Sequence, residues 1–243
     1  MLRFNIGRIP VGIHFSFLLI LWIAYSLTND FIEAGVAGIG ILAGILLHEM
    51  GHALTARHYG ADDVRITLFA LGGVTTYPPP ADLTPGRRFL IAAAGSALAI
   101  TFGIPVLLAF RADVFADRTI ELIAVGFWVA TVFWGLLNWA PIRPLDGGQM
   151  LTSALQIFFP NAGTMAARII SGAFTAAAVF WLYQSGQEFA AFYVAMIGLV
   201  GLRDDPGAVA EPQASPSQAP AESHPDEVPA DEAEWEAPPE FPL

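Results

Sequence analysis

The sequence contains no cysteine and little charge. Only 14% of its 243 residues are Asp, Glu, Lys or Arg, whereas 55% are apolar, and the mean hydropathy is +0.55. Without cysteine there can be no disulfide and no thiolate ligand, so a transition-metal site must use histidine and carboxylate. No basic patch is present, and no nucleic-acid partner is therefore predicted. This composition indicates a chain that lies in a lipid bilayer.

The net charge of −11 belongs to the C-terminal segment. Residues 204–243 hold 11 of the 22 acidic residues and no Lys or Arg, so residues 1–203 are balanced. The segment consists mainly of Pro, Ala, Glu, Asp and Ser, which is typical of disordered chain. We therefore divide the sequence into a membrane domain, residues 1–203, and an acidic disordered tail, residues 204–243.

Six apolar runs interrupt the polar residues of the first 203 positions. The first is read as a retained helix because no small-residue cleavage site comes after it. The last is the shortest of the six. Each run is predicted to form a membrane-spanning helix. The runs cover about residues 11–27, 34–58, 89–110, 119–139, 166–183 and 189–202.

Between the second and third runs the sequence changes character. Residues 64–69 are partly alternating and β-branched, Gly72 and Gly73 mark a turn, and residues 74–77 again favour a strand. An ordinary connecting loop is an equally good interpretation. The fold class predicted is an all-α polytopic membrane protein of about six transmembrane helices with this short, membrane-associated β-hairpin. The hairpin's edge could hold an extended peptide by strand addition.

The second run contains the motif H-E-x-x-H at residues 48–52. On a helix, His48 and His52 are one turn apart and project from one face, where they can bind zinc. Glu49 is placed to act as a general base toward a metal-bound water. A chance occurrence of the motif is the alternative. Two imidazoles and a carboxylate in hydrocarbon are costly, however, and this favours a functional site.

A third protein ligand is predicted after the fourth run. Residues 138–148 read N-W-A-P-I-R-P-L-D-G-G, and their prolines and glycines break the helix. Broken backbone at membrane depth is tolerated where it lines a cavity. Asp146 is the best-placed carboxylate to complete a site with two histidines. Its alternative role is an ordinary helix N-cap.

The distribution of arginine predicts the orientation in the membrane. With six spans, both termini lie on one side, which carries nine arginines against two on the other. The positive-inside rule then predicts cytosolic termini and an H-E-x-x-H motif near the cytosolic face. The nine are Arg3, Arg8, Arg57, Arg65, Arg87, Arg88, Arg143, Arg168 and Arg203, and the two are Arg111 and Arg118.

These motifs together resemble the site-2 protease family of intramembrane zinc metalloproteases. The resemblance rests on H-E-M-G-H at 48–52, L-G-G-V at 71–74 and the pattern N-x-x-P-x-x-P-L-D-G from Asn138, and it covers about residues 5–202. It implies that His48, His52 and Asp146 bind one Zn²⁺ and that Glu49 is the catalytic base. It further implies that Asn138 holds the substrate backbone or the oxyanion. Gly72, Gly73 and Val74 would belong to a strand that pairs with substrate.

The sequence departs from many relatives in two respects. It has A-G-S-A at 94–97 where many have Ala-Gly-Pro, and it has no stretch long enough for a PDZ insert and no CBS-like domain. The expectation is therefore a compact member whose helix packing differs locally. Regulation through those modules is not expected.

The predicted function is that of a zinc metalloendopeptidase. It would hydrolyse a peptide bond in or near the transmembrane segment of a membrane-anchored, single-span substrate, as in regulated intramembrane proteolysis. The expected location is the bacterial inner membrane, with the lipid bilayer as surroundings, and no oligomeric state is predicted. Two alternatives stay open: a non-catalytic membrane protein with a structural or sensory zinc site, and a transporter with a midplane ion site.

Overall fold

The computed structural model describes residues 1–70 and 72–203 of the chain. This part is mostly helical, with one small β-sheet near its N-terminus. The predicted acidic tail lies outside the described residues. That residues 1–203 act as one functional membrane domain stays a prediction.

Within residues 1–70 and 72–203, four helices are long and apolar enough to cross a membrane. Three of them begin after a side-chain cap that satisfies their first N–H groups: Asp30 before α2, Thr84 before α3 and Asp117 before α4. They agree with the second to fifth predicted runs to within about four residues at each end. The four are α2 (Phe31–His58), α3 (Pro85–Arg111), the helix over Arg118–Asn138 and α7 (Gly163–Gln184).

The helix over Arg118–Asn138 contains a wide turn that the sequence analysis did not predict. It runs as α4 (Arg118–Trp128), a π-helical turn (Val129–Phe133) and α5 (Trp134–Asn138). In the wide turn Thr131 is fully buried, and its hydroxyl donates to the Phe127 carbonyl at 2.7 Å. A π-turn adds a residue to the helix and rotates the residues after it. It therefore sets the direction in which Asn138 leaves the helix.

The same described part of the chain has three further α-helices that are shorter than a membrane span. They are α1 (Leu18–Thr28), α6 (Asp146–Phe158) and α8 (Glu188–Arg203). The first predicted run differs most from the structure, because residues 11–13 belong to a strand and α1 starts only at Leu18. The count of six spans stays a prediction.

The sheet has four strands in the order β1-β2-β3-β4. They are β1 (Leu2–Ile6), β2 (Ile9–Ile13), β3 (Arg65–Phe69) and β4 (Gly72–Thr76). β1 pairs antiparallel with β2, β2 parallel with β3, and β3 antiparallel with β4. The β3–β4 pair thus lies between α2 and α3 in the chain, and its association with the membrane stays a prediction. β4 is at the end of the sheet.

Large apolar side chains cover the outside of the helices. Phe102 on α3, Ile169 and Trp181 on α7 and Phe192 on α8 are each more than half exposed. In water such a surface would be an aggregation liability, whereas in a bilayer it meets hydrocarbon. Together with the four long apolar helices, this surface identifies an integral membrane protein.

Helix α2 lies at the centre of the helical part. It packs against both α3 and α4, and its second half is largely buried. At Gly51 the helix comes so close to α3 that an added Cβ would lie 2.5 Å from the Ala94 carbonyl oxygen. This close crossing brings one turn of α2, residues 48–52, against α3.

Candidate metal centre

Three buried donor atoms meet where α2, α3 and α6 converge. His48 Nε2 lies 3.1 Å from Asp146 Oδ2, His52 Nε2 lies 3.3 Å from the same oxygen, and the two imidazole nitrogens are 3.1 Å apart. All three residues are at most 8% exposed. The structure therefore brings together the three predicted ligands, although 94 residues separate His52 from Asp146 in the chain.

The triangle of donor atoms has the dimensions of a zinc site. Zinc binds histidine nitrogen and carboxylate oxygen at about 2.0–2.1 Å in tetrahedral geometry, which places neighbouring ligand atoms about 3.3 Å apart. The observed separations of 3.1, 3.1 and 3.3 Å fit this value. Two imidazole lone pairs and a carboxylate oxygen at such distances repel one another without a shared cation. The donor set, two histidines and one carboxylate, is also one that zinc enzymes use.

The His52 ring is oriented by a backbone carbonyl. Its Nδ1–H donates to the Ile91 oxygen of α3 at 2.8 Å, which leaves the Nε2 lone pair directed at the metal position. Such contacts fix the tautomer of a metal-binding histidine. Among the described residues, the buried Nδ1 of His48 has no corresponding partner. Ile91 is a supporting residue that the sequence analysis did not identify.

Asp146 is the first residue of α6 and does not cap it. The N-cap position is Leu145, which makes no side-chain hydrogen bond to the helix, and the Asp146 carboxylate instead faces the two histidines. The N-cap alternative is thus not what the structure shows.

Asn138, at the end of α5, completes the polar group. Its Nδ2 lies 3.0 Å from His48 Nε2 and donates to Asp146 Oδ2 at 3.2 Å. A side-chain amide in this position can donate to the ligand carboxylate or to a substrate oxygen. The break after α5 is what allows Asn138 and Asp146, eight residues apart, to meet.

Glu49 projects beside the donor triangle and against β4. The Thr75 hydroxyl lies 2.7 Å from Glu49 Oε2 and 3.1 Å from the Glu49 carbonyl oxygen, so it donates to the closer carboxylate. Gly73 leaves the space for this carboxyl group, since an added Cβ would lie 2.6 Å from Oε1. Of the other predicted substrate-contacting residues, Gly72 has a left-handed φ of 127° and Val74 is 41% exposed. Thr75 is a site residue that the sequence analysis missed.

We expect Thr75→Val to lower kcat for peptide cleavage by roughly 10- to 100-fold with little change in KM. The variant keeps the shape of the side chain and removes one hydrogen bond to a carboxylate, an interaction of about 1.5–3 kcal/mol. Steady-state kinetics of the purified protein measure the effect. Thr75→Ser, which restores the hydroxyl, is expected to recover most of the rate. Equal losses in both variants would show that the methyl group matters and the hydroxyl does not.

We expect Gly95→Ala to weaken zinc binding by about 10- to 100-fold, the range typical of residues that orient ligands. A Cβ at Gly95 would overlap the His52 ring at Nε2 and would lie 2.5 Å from Cε1. The ring cannot retreat without losing its bond to Ile91 or its place in the triangle. Metal analysis after dialysis measures the loss. Gly86→Ala in the same helix is the control, because its Cβ would meet nothing within 4 Å.

Comparisons with known proteins find relatives whose names are those of zinc metalloproteases. The chain is 34% identical over 174 residues to Rip3 of Mycobacterium tuberculosis, which carries a zinc metalloprotease name, covering 62% of this chain and 43% of that protein. It is 31% identical over 157 residues to zinc metalloprotease MJ0392 of Methanocaldococcus jannaschii, covering 63% of this chain and 44% of that protein. The chain thus spans less than half the length of these relatives. No family model matches.

The fold is also similar to that of a solved structure. The Site-2 Protease from Methanocaldococcus jannaschii superimposes with a TM-score of 0.59 over 84% of this chain and 96% of that one. Sequence identity in this comparison is 22%, so it establishes the arrangement of helices and sheet. The zinc metalloprotease names of the relatives and the donor triangle of His48, His52 and Asp146 both indicate Zn²⁺ as the cofactor.

Proposed function

We propose that this chain is a member of the site-2 protease family and an intramembrane zinc metalloendopeptidase. It hydrolyses a peptide bond in or near the transmembrane segment of a membrane-anchored substrate. The observation that carries the proposal is the buried Glu49 carboxylate, which follows the ligand His48 in the chain and contacts Thr75 and Gly73 of the edge strand β4, next to the donor triangle of His48, His52 and Asp146. A structural zinc site has no use for such a group.

Each residue of the site has a separate role in the proposed reaction. When bound by His48, His52 and Asp146, zinc supplies Lewis-acid activation of the attacking water and of the scissile carbonyl. Glu49 accepts a proton from the water and delivers it to the leaving amine. The Asn138 amide donates a hydrogen bond to the substrate oxygen on which negative charge develops.

The substrate is proposed to bind as an extended segment. A helical substrate hides its carbonyl groups in its own hydrogen bonds, so the segment must unwind before cleavage. β4 is an edge strand whose Gly73 touches Glu49, and strand addition there would hold the unwound backbone beside the site. A single-span membrane protein is the substrate class that supplies such a segment.

The orientation proposed is cytosolic termini in the inner membrane, with the site toward the cytosolic face. Arg118 of α4 pairs with Glu33 of α2 at 3.0 Å, which places the two helix starts together and away from residues 48–52. We expect a reporter fused after Leu243 to report a cytosolic C-terminus. A C-terminus outside the cell would reverse the orientation and place the site near the opposite face.

The proposal is tested with the full-length protein in detergent and a tagged single-span substrate. We expect cleavage that stops when a chelator removes zinc and returns when zinc is added back, with the new terminus inside or next to the substrate's apolar segment. Zinc that binds with the same stoichiometry while several substrates stay intact would instead support the non-catalytic, structural or sensory protein. Metal flux in vesicles would support the transporter.

A further inference from the structure

Residues 14–16 contact the turn end of the β3–β4 hairpin. The His14 N–H donates to the Leu68 carbonyl of β3 at 2.8 Å, which extends the pairing of β2 with β3 by one step. The Ser16 hydroxyl oxygen accepts the Ala70 N–H at 3.3 Å, at the start of the turn that leads into β4. These two contacts join the hairpin to a segment that lies more than 50 positions before it in the chain.

The His14 ring fixes the direction of the Ser16 hydroxyl bond. The Ser16 N–H donates to His14 Nδ1 at 3.2 Å, so this nitrogen is an acceptor and the proton of the ring is on Nε2. The Ser16 hydroxyl, 2.7 Å from the same nitrogen, therefore donates to it. Its oxygen keeps its lone pairs for the Ala70 N–H. The contacts thus form one directed chain of hydrogen bonds, from the Ala70 N–H through the Ser16 hydroxyl to the ring.

The hairpin connects these residues to the open edge of β4. Leu68 is opposite Gly73 in the antiparallel β3–β4 pairing. Because the Leu68 carbonyl faces His14, this pair is one of those without mutual hydrogen bonds, and the N–H and C=O of Gly73 face the open edge. A Cβ at Gly73 would lie 2.6 Å from Glu49 Oε1. The backbone groups that a substrate strand could use beside Glu49 therefore include those of Gly73.

We propose that His14 and Ser16 are positioning residues for the substrate strand β4. The proposal rests on the proposed function, in which an extended substrate segment pairs with β4. The hydrogen bonds of His14 and Ser16 hold the turn end of the hairpin and so keep Gly73 beside Glu49. Without them this end opens more often, since strand ends and turns open at a low free-energy cost. A substrate must then order the hairpin as it binds, which lowers its affinity.

Hydrogen exchange of the full-length, zinc-loaded protein in detergent tests the positioning without any cleavage. Ser16→Ala removes the hydroxyl, and His14→Phe keeps a ring and removes Nδ1. In both variants we expect the amides of residues 72–76 to exchange about 5- to 10-fold faster than in the wild type, the effect of one lost hydrogen bond. Residues 45–56 of α2 should exchange at the wild-type rate. Ser16→Thr keeps the hydroxyl, and the amide oxygen of His14→Asn can accept the Ser16 N–H, so both should restore protection.

Cleavage of the tagged single-span substrate measures the consequence for substrate binding. We expect KM to rise at least about threefold in Ser16→Ala and His14→Phe, with kcat and zinc content unchanged, because the ordering of β4 affects binding and the residues of the metal centre are intact. Ser185→Ala is the control. Its hydroxyl also donates to a backbone carbonyl, that of Trp181 at 2.8 Å, but it lies at the end of α7. This variant should match the wild type in exchange, KM and zinc content.

Different results would overturn the positioning role and the proposed function. Unchanged exchange of residues 72–76 in both Ser16→Ala and His14→Phe would overturn the positioning role, and so would faster exchange with an unchanged KM. Equal changes in Ser16→Ala and Ser16→Thr would show that the hydroxyl is not needed and would also overturn it. In each of these cases the wild type still cleaves, and the proposed function stands. A wild-type protein that cleaves no substrate would overturn the proposed function, and the substrate-positioning role with it.

Discussion

Glu49→Gln is expected to retain zinc and to lose about 10²- to 10⁴-fold of peptide cleavage, the contribution typical of a general acid–base group. Gln is nearly the same size as Glu and can still accept the Thr75 hydroxyl bond through its amide oxygen. The variant therefore keeps the packing of β4 on α2. What it loses is the ability to take a proton from water and return it to the leaving amine.

The experiment requires activity and zinc content from the same preparations. Glu121→Gln is the matched control, because this residue lies in the first turn of α4 and, in the described part of the chain, its side chain is hydrogen-bonded only to Arg118. It should cleave at the wild-type rate. If Glu49→Gln cleaved normally, another group would be the base. If the Glu49→Gln protein lost its zinc, Glu49 would be needed for metal binding. The loss of cleavage would then be no evidence that Glu49 transfers protons.

The first half of the site could be predicted because it is local. His48, Glu49 and His52 lie within five residues, and a helix of period 3.6 necessarily places both histidines on one face. The predicted helix, residues 34–58, is observed as Phe31–His58. No tertiary information was needed to bring these groups together, and only the helix had to form.

The role of Asp146 could not be predicted from helical periodicity alone. This residue lies 94 positions after His52, so no local pattern brings the two residues together, and its position before a helix left an N-cap as the less favoured alternative. The broken backbone of residues 138–148 and the family resemblance pointed to it. The structure then shows that α3 and α6 pack together, which carries the carboxylate to α2. Thr75, Gly95 and Ile91 could not be predicted, because their contacts depend on which residues face α2.

The N-terminal strands were missed because an apolar run concealed them. Residues 11–27 are continuously hydrophobic enough for a span, yet Ile9, Val11 and Ile13 alternate with Pro10 and Gly12 at the period of a strand. Gly7, at φ 58°, makes the turn that joins β1 to β2. The parallel pairing of β2 with β3 is a contact over more than 50 residues. Local pattern carries no information about it.

Asp146→Asn is expected to weaken zinc binding by more than the roughly 10- to 100-fold seen for residues that only orient ligands. The substitution keeps the size and shape of the side chain and removes its negative charge. The amide nitrogen or oxygen that replaces Oδ2 is a poor ligand for zinc, and two neutral imidazoles then remain as the only strong donors. Cleavage should fall in proportion to the zinc lost, and excess zinc should restore part of it.

Asp117→Asn is the control that separates a ligand from a cap. The Asp117 carboxylate accepts the N–H groups of Thr119 and Ile120 at 2.9 and 3.0 Å, and asparagine caps helices as well as aspartate does. It should keep both zinc and stability. If Asp146→Asn also kept its full zinc, measured by competition with a chromophoric chelator, Asp146 would not be the third ligand. The two histidines would then need a donor other than the carboxylate that now lies 3.1 and 3.3 Å from them.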